Sequence, residues 1–346
     1  MKGLALNRRT MLPLALAAVA ATGGSAALAS SASAATGTLN GAGSTLVAPL
    51  EQEWASAFQT RTGITVNYQA VGSGTGITDV SQRLVDFGAS DAPLTPTQAA
   101  GCHSCVQIPW ALSATGVGYN VPGVGNRLRL NGPTLAKIYL GQITTWNNSA
   151  IQKLNPGVRL PNLKITPIYR SDGSGDTYAF TNYLSDVSGT WRSKVNFATS
   201  VQFPTGVGQK GNSGVTAALQ STSGGIAYIA VSYLIAHKIP AVAIQNQAGK
   251  FEYPNLANIE NAAQTVKQVP AGNALHIVDP PKSAKIAYPI STFTYVIAPQ
   301  GAKQAGLLRQ FINYDLTTGQ HFGASLDFAP IPKIVLKAAK SAVGGI

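Results

Sequence analysis

Apolar residues in the first third of the chain alternate between strand-like and helix-like spacing. The run at 64–71 alternates and predicts a strand, because successive side chains of a strand point to opposite faces. The segment 38–46 is predicted as a short strand that enters a Gly-rich turn, and 85–91 as a third strand that ends in an acid. The segments 47–60 and 77–84 place apolar residues three or four positions apart, which predicts helices with one buried face. The apolar positions of the first helix are Val47, Leu50, Trp54 and Phe58. Repeated strand–turn–helix units indicate a parallel sheet with helices packed on its faces.

The remainder of the chain continues as a mixture of strands and helices. Further strands are predicted at 106–110, 114–120, 163–169, 225–233 and 288–297. Further helices are predicted at 134–140, 146–154, 178–184, 215–220, 304–316 and 333–343. The Pro/Gly-rich stretch 121–126 suits a crossing between domains, and no tandem repeat is present. The pattern therefore predicts two α/β domains with more than one crossing between them.

Residues 1–34 are expected to be an export signal peptide rather than part of the fold. Basic residues near the start precede the short apolar run 11–21, and Ala32-Ser33-Ala34 offers a cleavage site. The apolar run is too short for a membrane span. We expect cleavage near Ala34 and a periplasmic or extracellular location. We expect no lipid anchor, because no cysteine lies near the cleavage site.

The net charge favours small anions over nucleic acid as partners. The chain has 25 Lys and Arg against 13 Asp and Glu, and removing the three basic residues of the signal leaves 22 − 13 = +9. Only 11% of the residues are charged, and no basic tail with interleaved aromatic residues is present. Export also argues against a nucleic-acid partner.

Cys102 and Cys105, the two cysteines of the chain, are expected to form a short-loop disulfide, since exported proteins meet oxidising conditions. A zinc site would need two further ligands, and the other histidines form no ligand-spaced motif. A thioredoxin-like redox role is compatible with the C-x-x-C spacing, but the surrounding sequence does not support it. We expect neither a metal nor a cofactor.

Three turns rich in Gly, Ser and Thr precede helical segments, at 43–45, 72–74 and 173–175. Backbone N–H groups at a helix start are unpaired and lie at the positive end of the helix dipole, so such turns suit an oxyanion. Each turn alone is also an ordinary N-cap. Three of them at the carboxyl ends of strands in an open sheet indicate one ligand site.

The third turn belongs to the stretch 170–177, which carries a cation and two acids. Arg170 would balance an anion as a planar fork, with Asp172 either holding it in orientation or forming a plain surface ion pair. A carboxylate only accepts hydrogen bonds, so Asp91 and Asp176 would repel sulfate but accept the proton of a protonated phosphate. A hydrolase has a weak case, because no nucleotide motif, nucleophile elbow or triad is present.

Stretches that resemble one family occur in that family's order along nearly the whole chain after the signal. The main ones are GAGST (41–45), NYQAVGS (67–73), VDFGASDAPL (85–94), IYLGQI (138–143) with Trp146, KLNPG (153–157) and RSDGSGDT (170–177). Weaker ones are GQKGN (208–212), GIAY (225–228) and LDFAP (326–330). On these the chain resembles the periplasmic phosphate-binding proteins of bacterial high-affinity phosphate ABC transporters, the PstS family.

The resemblance implies a two-lobe α/β fold of the Venus flytrap kind, type II, with crossing hinge strands. Lobe I would comprise 35–118 and 288–346, and lobe II 119–287, closing on one dehydrated phosphate ion. The implied phosphate ligands are Ser44, Thr45, Leu46 (through its backbone N–H), Ser73, Asp91, Arg170, Ser174, Gly175 and Asp176, with Asp172 orienting Arg170. The protein would be a monomer without enzymatic activity that delivers phosphate to ABC permease subunits in the cell membrane.

Asp176 departs from the family pattern, since many relatives have Thr directly after this Gly. Either Asp176 is a second proton-accepting ligand, or Thr177 supplies the hydroxyl while Asp176 turns away. Two acceptor acids would shift preference toward H2PO4⁻, and we expect Asp176 to bind the ligand. Leu46 replaces the Phe of many relatives, which matters little if the contact is through the backbone.

Other functions are open at this stage. A receptor for a different tetrahedral oxyanion, such as sulfate, would use the same turns. An exported phosphatase would need a metal-ligand cluster or an activated nucleophile, which the sequence lacks. An adhesin or signalling role on the same fold is a third class.

Overall fold

A computed structural model of the protein describes residues 37–126 and 128–346, so the predicted export signal at 1–34 lies outside the described residues. The strands are β1 (Thr38–Gly43), β2 (Thr65–Gln69), β3 (Phe87–Ser90), β4 (Cys105–Asn120), β5 (Arg129–Leu130), β6 (Thr166–Arg170), β7 (Val207–Gln209), β8 (Gly225–Ala230), β9 (Ala243–Gln245), β10 (Phe251–Glu252) and β11 (Ser291–Pro299). The α-helices are α1 (Ala48–Thr62), α2 (Ser73–Ser81), α3 (Pro96–Gly101), α4 (Gly132–Tyr139), α5 (Ser149–Leu154), α6 (Gly175–Val187), α7 (Gly189–Lys194), α8 (Gly211–Ser221), α9 (Val231–Ala236), α10 (Leu256–Ala263), α11 (Ala305–Asp315) and α12 (Lys333–Val343). The predicted mixture of strands and helices is confirmed.

One mixed sheet of eight strands has the order β2-β1-β3-β11-β4-β8-β6-β7. β1 is parallel to β2 and β3, and β6 is parallel to β7 and β8. Between these two parallel groups, β11 and β4 run antiparallel to their neighbours. A smaller sheet has the order β10-β9-β5. The two parallel groups confirm the inference that strand–turn–helix units build a parallel arrangement.

β4 belongs to both halves of the large sheet. Residues 105–114 pair with β11, and residues 115–120 pair with β8. The sequence predicts two strands here, at 106–110 and 114–120, and that prediction is wrong. Residues 111–113 are buried within one continuous strand, and apolar side chains on both of its faces erase the alternation that would mark them. The change of partner therefore falls between Ala114 and Thr115, ahead of the Pro/Gly stretch.

Several element boundaries also differ from the prediction, and two of these differences have an identifiable reason. The strand expected at 225–233 ends at Ala230, and α9 begins at Val231. Its β-branched and aromatic residues suit a buried helix as well as a strand, so composition alone does not place the boundary. α2 begins at Ser73 rather than at 77, because its first turn consists of small residues without apolar spacing.

The first helix is held by the apolar face that the sequence predicts. Val47, Leu50, Trp54 and Phe58 are all buried. The Trp54 indole packs edge-on against Trp110 with ring centroids 5.2 Å apart, and its N–H donates to the Gly319 carbonyl at 2.7 Å. Burying each large apolar side chain contributes about 1.5–3 kcal/mol, so the start of α1 is firmly positioned. Among the described residues, no helix combines the length and apolar character needed to cross a bilayer.

Two acids lie in the same core. Glu51 on α1 is 1% exposed and Asp315 at the end of α11 is 0% exposed. Within the described part of the chain, Oε1 of Glu51 and both carboxylate oxygens of Asp315 have no hydrogen-bond partner. Burial raises the pKa of Glu51 to about 8. Burial, followed by the charge of Glu51, raises the pKa of Asp315 well above its ordinary value.

We expect the free energy of unfolding to fall as pH rises, and Glu51→Gln to remove roughly 3–5 kcal/mol of that fall. A carboxyl whose pKa is raised on folding favours the folded state only while it is protonated. Its contribution is therefore lost between its ordinary value of 4.5 and about 8. Urea unfolding followed by circular dichroism at several pH values measures the slope. Glu53→Gln, on the exposed face of α1, is the control, and equal slopes for Glu51→Gln and the wild type would contradict the prediction.

Candidate ligand-binding site

The starts of four helices meet at one place in the large sheet. Three are the turns predicted from the sequence, before α1, α2 and α6, and the fourth is the first turn of α8. The Gly74 N–H donates to the Gly173 carbonyl at 2.9 Å, which joins the second turn to the third. The Asn212 side-chain amide donates to Thr45 Oγ1 at 2.8 Å, which joins the first turn to α8. Four positive helix ends therefore face a common point, an arrangement suited to an anion.

Arg170, the last residue of β6, lies at the centre of this arrangement and is 4% exposed. Its Nε and Nη2 donate to the two carboxylate oxygens of Asp172 at 2.7 and 2.5 Å, a bidentate pair. Its Nη1 donates to Thr45 Oγ1 at 3.0 Å and to Asp176 Oδ2 at 3.2 Å. The structure thus places Asp172 where it fixes the plane of the guanidinium.

The Asp172 carboxylate stays ionised. Partial burial acts against this, but the hydrogen bonds from Arg170 outweigh it and hold the pKa of Asp172 below its ordinary value. The Gly211 N–H also donates to Asp172 Oδ1 at 3.0 Å, which ties the start of α8 to the same carboxylate. In return, Asp172 and Asp176 raise the pKa of Arg170 despite its burial. The guanidinium is therefore a permanent cation.

Asp91 follows directly after β3 and is 2% exposed. Its Oδ1 accepts hydrogen bonds from Ser44 Oγ at 2.6 Å and from Thr294 Oγ1 at 2.9 Å. Its Oδ2 accepts only a long bond, 3.5 Å, from Ser73 Oγ. Burial, followed by the charge of Asp176, raises the pKa of Asp91 to about 7. Asp91 is thus a buried acceptor that changes protonation near neutral pH.

Asp176 lies in the first turn of α6 and is fully buried. Its Oδ1 accepts from Thr115 Oγ1 at 2.7 Å, and its Oδ2 accepts from Asn212 Nδ2 at 2.8 Å as well as from Arg170. Burial raises its pKa, although Arg170 opposes the shift. The hydroxyl of Thr177 instead lies 2.7 Å from the Tyr228 hydroxyl. Of the two alternatives at this position, the structure brings the Asp176 carboxylate to Arg170.

The remaining predicted residues supply local support around these groups. Ser44 Oγ accepts from the N–H groups of Leu46 at 3.0 Å and Val47 at 3.2 Å. Ser73 Oγ accepts from the Gly175 N–H at 3.1 Å, across from the second turn to the third. Ser174 caps α6, since its Oγ accepts from the Thr177 N–H at 3.4 Å. The predicted site residues therefore lie in a network of two adjoining sets of hydrogen bonds, one around Asp91 and one around Arg170.

Two glycines permit the close approach of the facing segments. Gly72 has φ of +98°, and a Cβ there would lie 3.0 Å from the Gly173 carbonyl oxygen. A Cβ on Gly175 would lie 2.7 Å from the Cα of Asp91 and closer still to its Cβ. Residues with side chains at these positions would hold the segments apart. The backbone of the third turn is thus packed directly against Asp91.

Three residues of the network are missed by sequence reasoning. Asn212 is the one with a signal, since it ends the weakly matching stretch 208–212. Thr115 on β4 and Thr294 on β11 donate to Asp176 and Asp91 from strands that show no local motif. Their role can be recognised only in the folded sheet, where Thr115 lies beside Asp176 and Thr294 beside Asp91.

The predicted disulfide lies in another part of the chain. In residues 37–126 and 128–346, no group of three or more His, Cys, Asp or Glu side chains is placed to hold a metal ion. Cys102 and Cys105 form a disulfide, with their Cα atoms 5.6 Å apart. The bridge closes the loop between α3 and β4, away from the ligand network.

Comparison with known proteins gives a consistent result. The sequence profile of the PBP superfamily domain matches residues 29–317. The phosphate-binding protein PstS of Xylella fastidiosa (strain Temecula1) is 36% identical over 303 residues, which covers 86% of this chain and 83% of that protein. PstS of Haemophilus influenzae is 34% identical over 308 residues, with coverage of 88% and 91%.

A solved structure shares the fold. It is that of PfluDING, described as a high-affinity periplasmic phosphate-binding protein bound with phosphate. The TM-score is 0.71 at 22% identity, with 88% of this chain and 93% of that chain covered. This likeness confirms the predicted fold class, a two-lobe α/β binding-protein fold. The sequence identities confirm the family, and the chain therefore belongs to the PstS family of phosphate-binding proteins.

Proposed function

We propose that this protein captures inorganic phosphate outside the cytoplasm and delivers it to the permease of an ABC transporter for import. The observation that carries the proposal is one buried site holding both a fork of donors, Arg170 with the helix starts, and a buried acceptor, Asp91. A ligand that satisfies both must be an oxyanion that also carries a proton. Inorganic phosphate near neutral pH meets this requirement, because it has three ionisable protons and both of its forms there, H2PO4⁻ and HPO4²⁻, keep at least one that can donate to a carboxylate.

The ligand would be held by donors from both halves of the sheet. From one half we propose Thr45, the Leu46 N–H and Ser73, and from the other Arg170, Ser174 and the Gly175 N–H. Asp91 would accept the proton of the phosphate, with Ser44 and Thr294 fixing its carboxylate. Asn212 joins this set because its amide already reaches Thr45 and Asp176. Charge-assisted bonds of this kind are about twice as strong as neutral ones.

We place lobe I at 35–118 and 288–346 and lobe II at 119–287. β4 supports this division, since its partner changes from β11 to β8 close to the proposed boundary. The chain returns to lobe I along the segment before β11. Closure of the two lobes would bring the first two turns against the third turn and α8, as the bonds across the site require.

We propose that export of the protein belongs to the same role. The segment 1–34 would direct the chain out of the cytoplasm and be removed near Ala34. The protein would work as a monomer without enzymatic activity, with the permease subunits as its membrane partners. The PstS names of its relatives support phosphate as the ligand.

The closest competing function in chemical terms is a sulfate receptor. Sulfate carries no proton at neutral pH, so its oxygens would meet the Asp91 carboxylate as a second acceptor. A phosphatase that works through a metal would need a metal-ligand cluster, and among the described residues no group of three or more His, Cys, Asp or Glu side chains is placed to hold a metal ion.

We expect Asp91→Asn to lower the preference for phosphate over sulfate by at least about tenfold. An ionised acceptor is worth about 1.5–3 kcal/mol to a donor, and an amide can donate to sulfate instead. Calorimetric titration of wild type and variant with each anion near pH 8 measures the ratio. Asp79→Asn, on α2 and outside the network, is the control.

Each result of that titration has a clear meaning. Tight phosphate and weak sulfate binding by the wild type supports the proposal. Equal affinities would favour the general oxyanion receptor, and absence of phosphate binding would refute the proposal. Turnover of p-nitrophenyl phosphate by the wild type would favour the phosphatase.

A further inference from the structure

The hydroxyl of Tyr228 on β8 contacts both ends of the stretch 170–177, which carries the donors of one half of the site. At the strand end, the Arg170 N–H donates to this hydroxyl at 2.9 Å. At the helix start, Thr177 Oγ1 lies 2.7 Å from it. A single oxygen therefore joins the last residue of β6 to the first turn of α6.

The backbone of Arg170 depends on this partner. β6 pairs with β8 through residues 166–168, so Arg170 lies beyond the last of these pairs. On the other side of β6, the Ser171 N–H donates to the Gln209 carbonyl at 3.0 Å and continues the pairing with β7. Arg170 is 4% exposed, so without the Tyr228 hydroxyl its N–H would be buried and unpaired, which is costly.

Aromatic packing determines where this hydroxyl lies. Tyr228 is fully buried, and its ring stacks on Phe180 with centroids 4.5 Å apart and an angle of 19° between the planes. Phe203 and Tyr139 contact the same ring, with centroids 6.0 and 6.3 Å away. Burial raises the pKa of Tyr228, so the phenol keeps its proton in the physiological range. The hydroxyl is therefore a fixed point beside the stretch 170–177.

We propose that Tyr228 is a positioning residue for phosphate, whose hydroxyl holds Arg170 and the start of α6 at the separation that the ligand requires. This inference rests on the proposed function and adds to it a residue that does not touch the ligand. The donors proposed from this half of the site are the Arg170 guanidinium, Ser174 and the Gly175 N–H, and all of them lie within the stretch whose ends Tyr228 holds. A small displacement of either end would misplace several ligand contacts together. In this role the Thr177 hydroxyl serves Tyr228 rather than phosphate.

Calorimetric titration of Tyr228→Phe with inorganic phosphate tests this role. The change keeps the stacked ring and removes the hydroxyl, which leaves the Arg170 N–H without its partner. We expect the affinity to fall by about tenfold or more. Tyr139→Phe is the matched control, because Tyr139 is fully buried in the same aromatic cluster but its hydroxyl bonds to two strand carbonyls at 3.4 Å. The affinity of the control should stay within about twofold of the wild type.

Two changes at Thr177 test the other end of the same bond. Thr177→Val removes the hydroxyl and should lose affinity, whereas Thr177→Ser keeps the hydroxyl and should recover most of that loss. Because both hydroxyls act through one contact, the double variant Tyr228→Phe/Thr177→Val should lose less than the product of the two single losses. Losses that multiply would mean that Thr177 acts on phosphate independently of Tyr228, and they would overturn the proposal.

The remaining outcomes separate this inference from the proposed function. Affinity within about twofold of the wild type in a folded Tyr228→Phe would overturn the role of Tyr228 and leave the phosphate receptor intact. An equal loss in Tyr139→Phe would also overturn it, because the effect would then come from the aromatic cluster in general. Absence of phosphate binding by the wild type would overturn the receptor and this role with it. If circular dichroism shows that Tyr228→Phe does not fold, the Thr177 variants decide: recovery by serine supports the bond, and unchanged affinity in Thr177→Val overturns it.

Discussion

Arg170→Met is expected to weaken phosphate binding by about a thousandfold. Removing one partner of a buried, hydrogen-bonded charge pair costs about 2–5 kcal/mol, and each 1.4 kcal/mol is about tenfold in affinity. Arg170 meets this description, since it is 4% exposed and is the cation around which Asp172, Asp176 and Thr45 are arranged. Calorimetric titration with phosphate measures the loss, and circular dichroism reports whether the variant is folded.

A second variant and a control keep this expectation testable. Arg170→Lys retains the positive charge but not the planar fork. This variant should bind phosphate with intermediate affinity, because the lysine still balances the charges of Asp172 and Asp176. Arg192→Met is the control, because Arg192 is 59% exposed in its side chain and lies 3.8 Å from Asp186 at the surface. Retention of affinity within about tenfold by a folded Arg170→Met would show that phosphate does not bind at this guanidinium.

Gly175→Ala is expected to lower phosphate affinity by up to about a hundredfold and also to lower the melting temperature. The added methyl would lie 2.7 Å from the Asp91 Cα, which belongs to the backbone and cannot rotate away. Overpacking of this kind costs about 1–3 kcal/mol, and it would also stretch the 3.1 Å bond from the Gly175 N–H to Ser73. Alanine is the better helix former by about 1 kcal/mol in a helix interior, which does not offset this cost at the first residue of α6, so the melting temperature should fall as well.

The matched control is Gly189→Ala, at the start of α7, where an added Cβ meets nothing within 4 Å. Titration and thermal unfolding of both variants separate steric blocking of the site from a general effect of alanine. Unchanged affinity in Gly175→Ala would mean that the third turn and Asp91 do not need to approach this closely for binding.

Most features that the sequence predicts correctly depend on residues that are close together along the chain. The apolar spacing of α1 determines its buried face, because a helix presents residues three and four positions apart on one side. An orienting pair between Arg170 and Asp172 is one of the two interpretations that the sequence allows. It could be predicted because the two residues are only two positions apart at a strand end. The turns before α1 and α2 lie together because β1 and β2 are parallel, whereas the turn before α6 follows β6 of the oppositely directed parallel group and meets them across the site.

Other parts depend on contacts that are remote in sequence. Thr115 and Thr294 reach the acids only because β4 and β11 are neighbours in the centre of the sheet. Nothing in the composition around either threonine distinguishes it from any other strand residue. Likewise, the continuity of β4 depends on its burial on both faces, which only the assembled sheet provides. The alternative interpretation, that Arg170 and Asp172 form a surface ion pair, is wrong for the same reason. Arg170 is buried by residues that are distant in sequence.

The position of Thr115 has a thermodynamic consequence. It is the residue at which β4 leaves β11 and joins β8, and its hydroxyl donates to Asp176 at 2.7 Å. A distortion of β4 at this point would change the hydrogen bond from Thr115 to Asp176, and with it the proton affinity of Asp176. Coupling between two events is reciprocal. If bending of β4 changes the free energy of protonating Asp176, protonation of Asp176 changes the free energy of bending β4 by the same amount. The conformation of β4, the strand that connects the two parallel groups, is therefore linked to the pKa of Asp176.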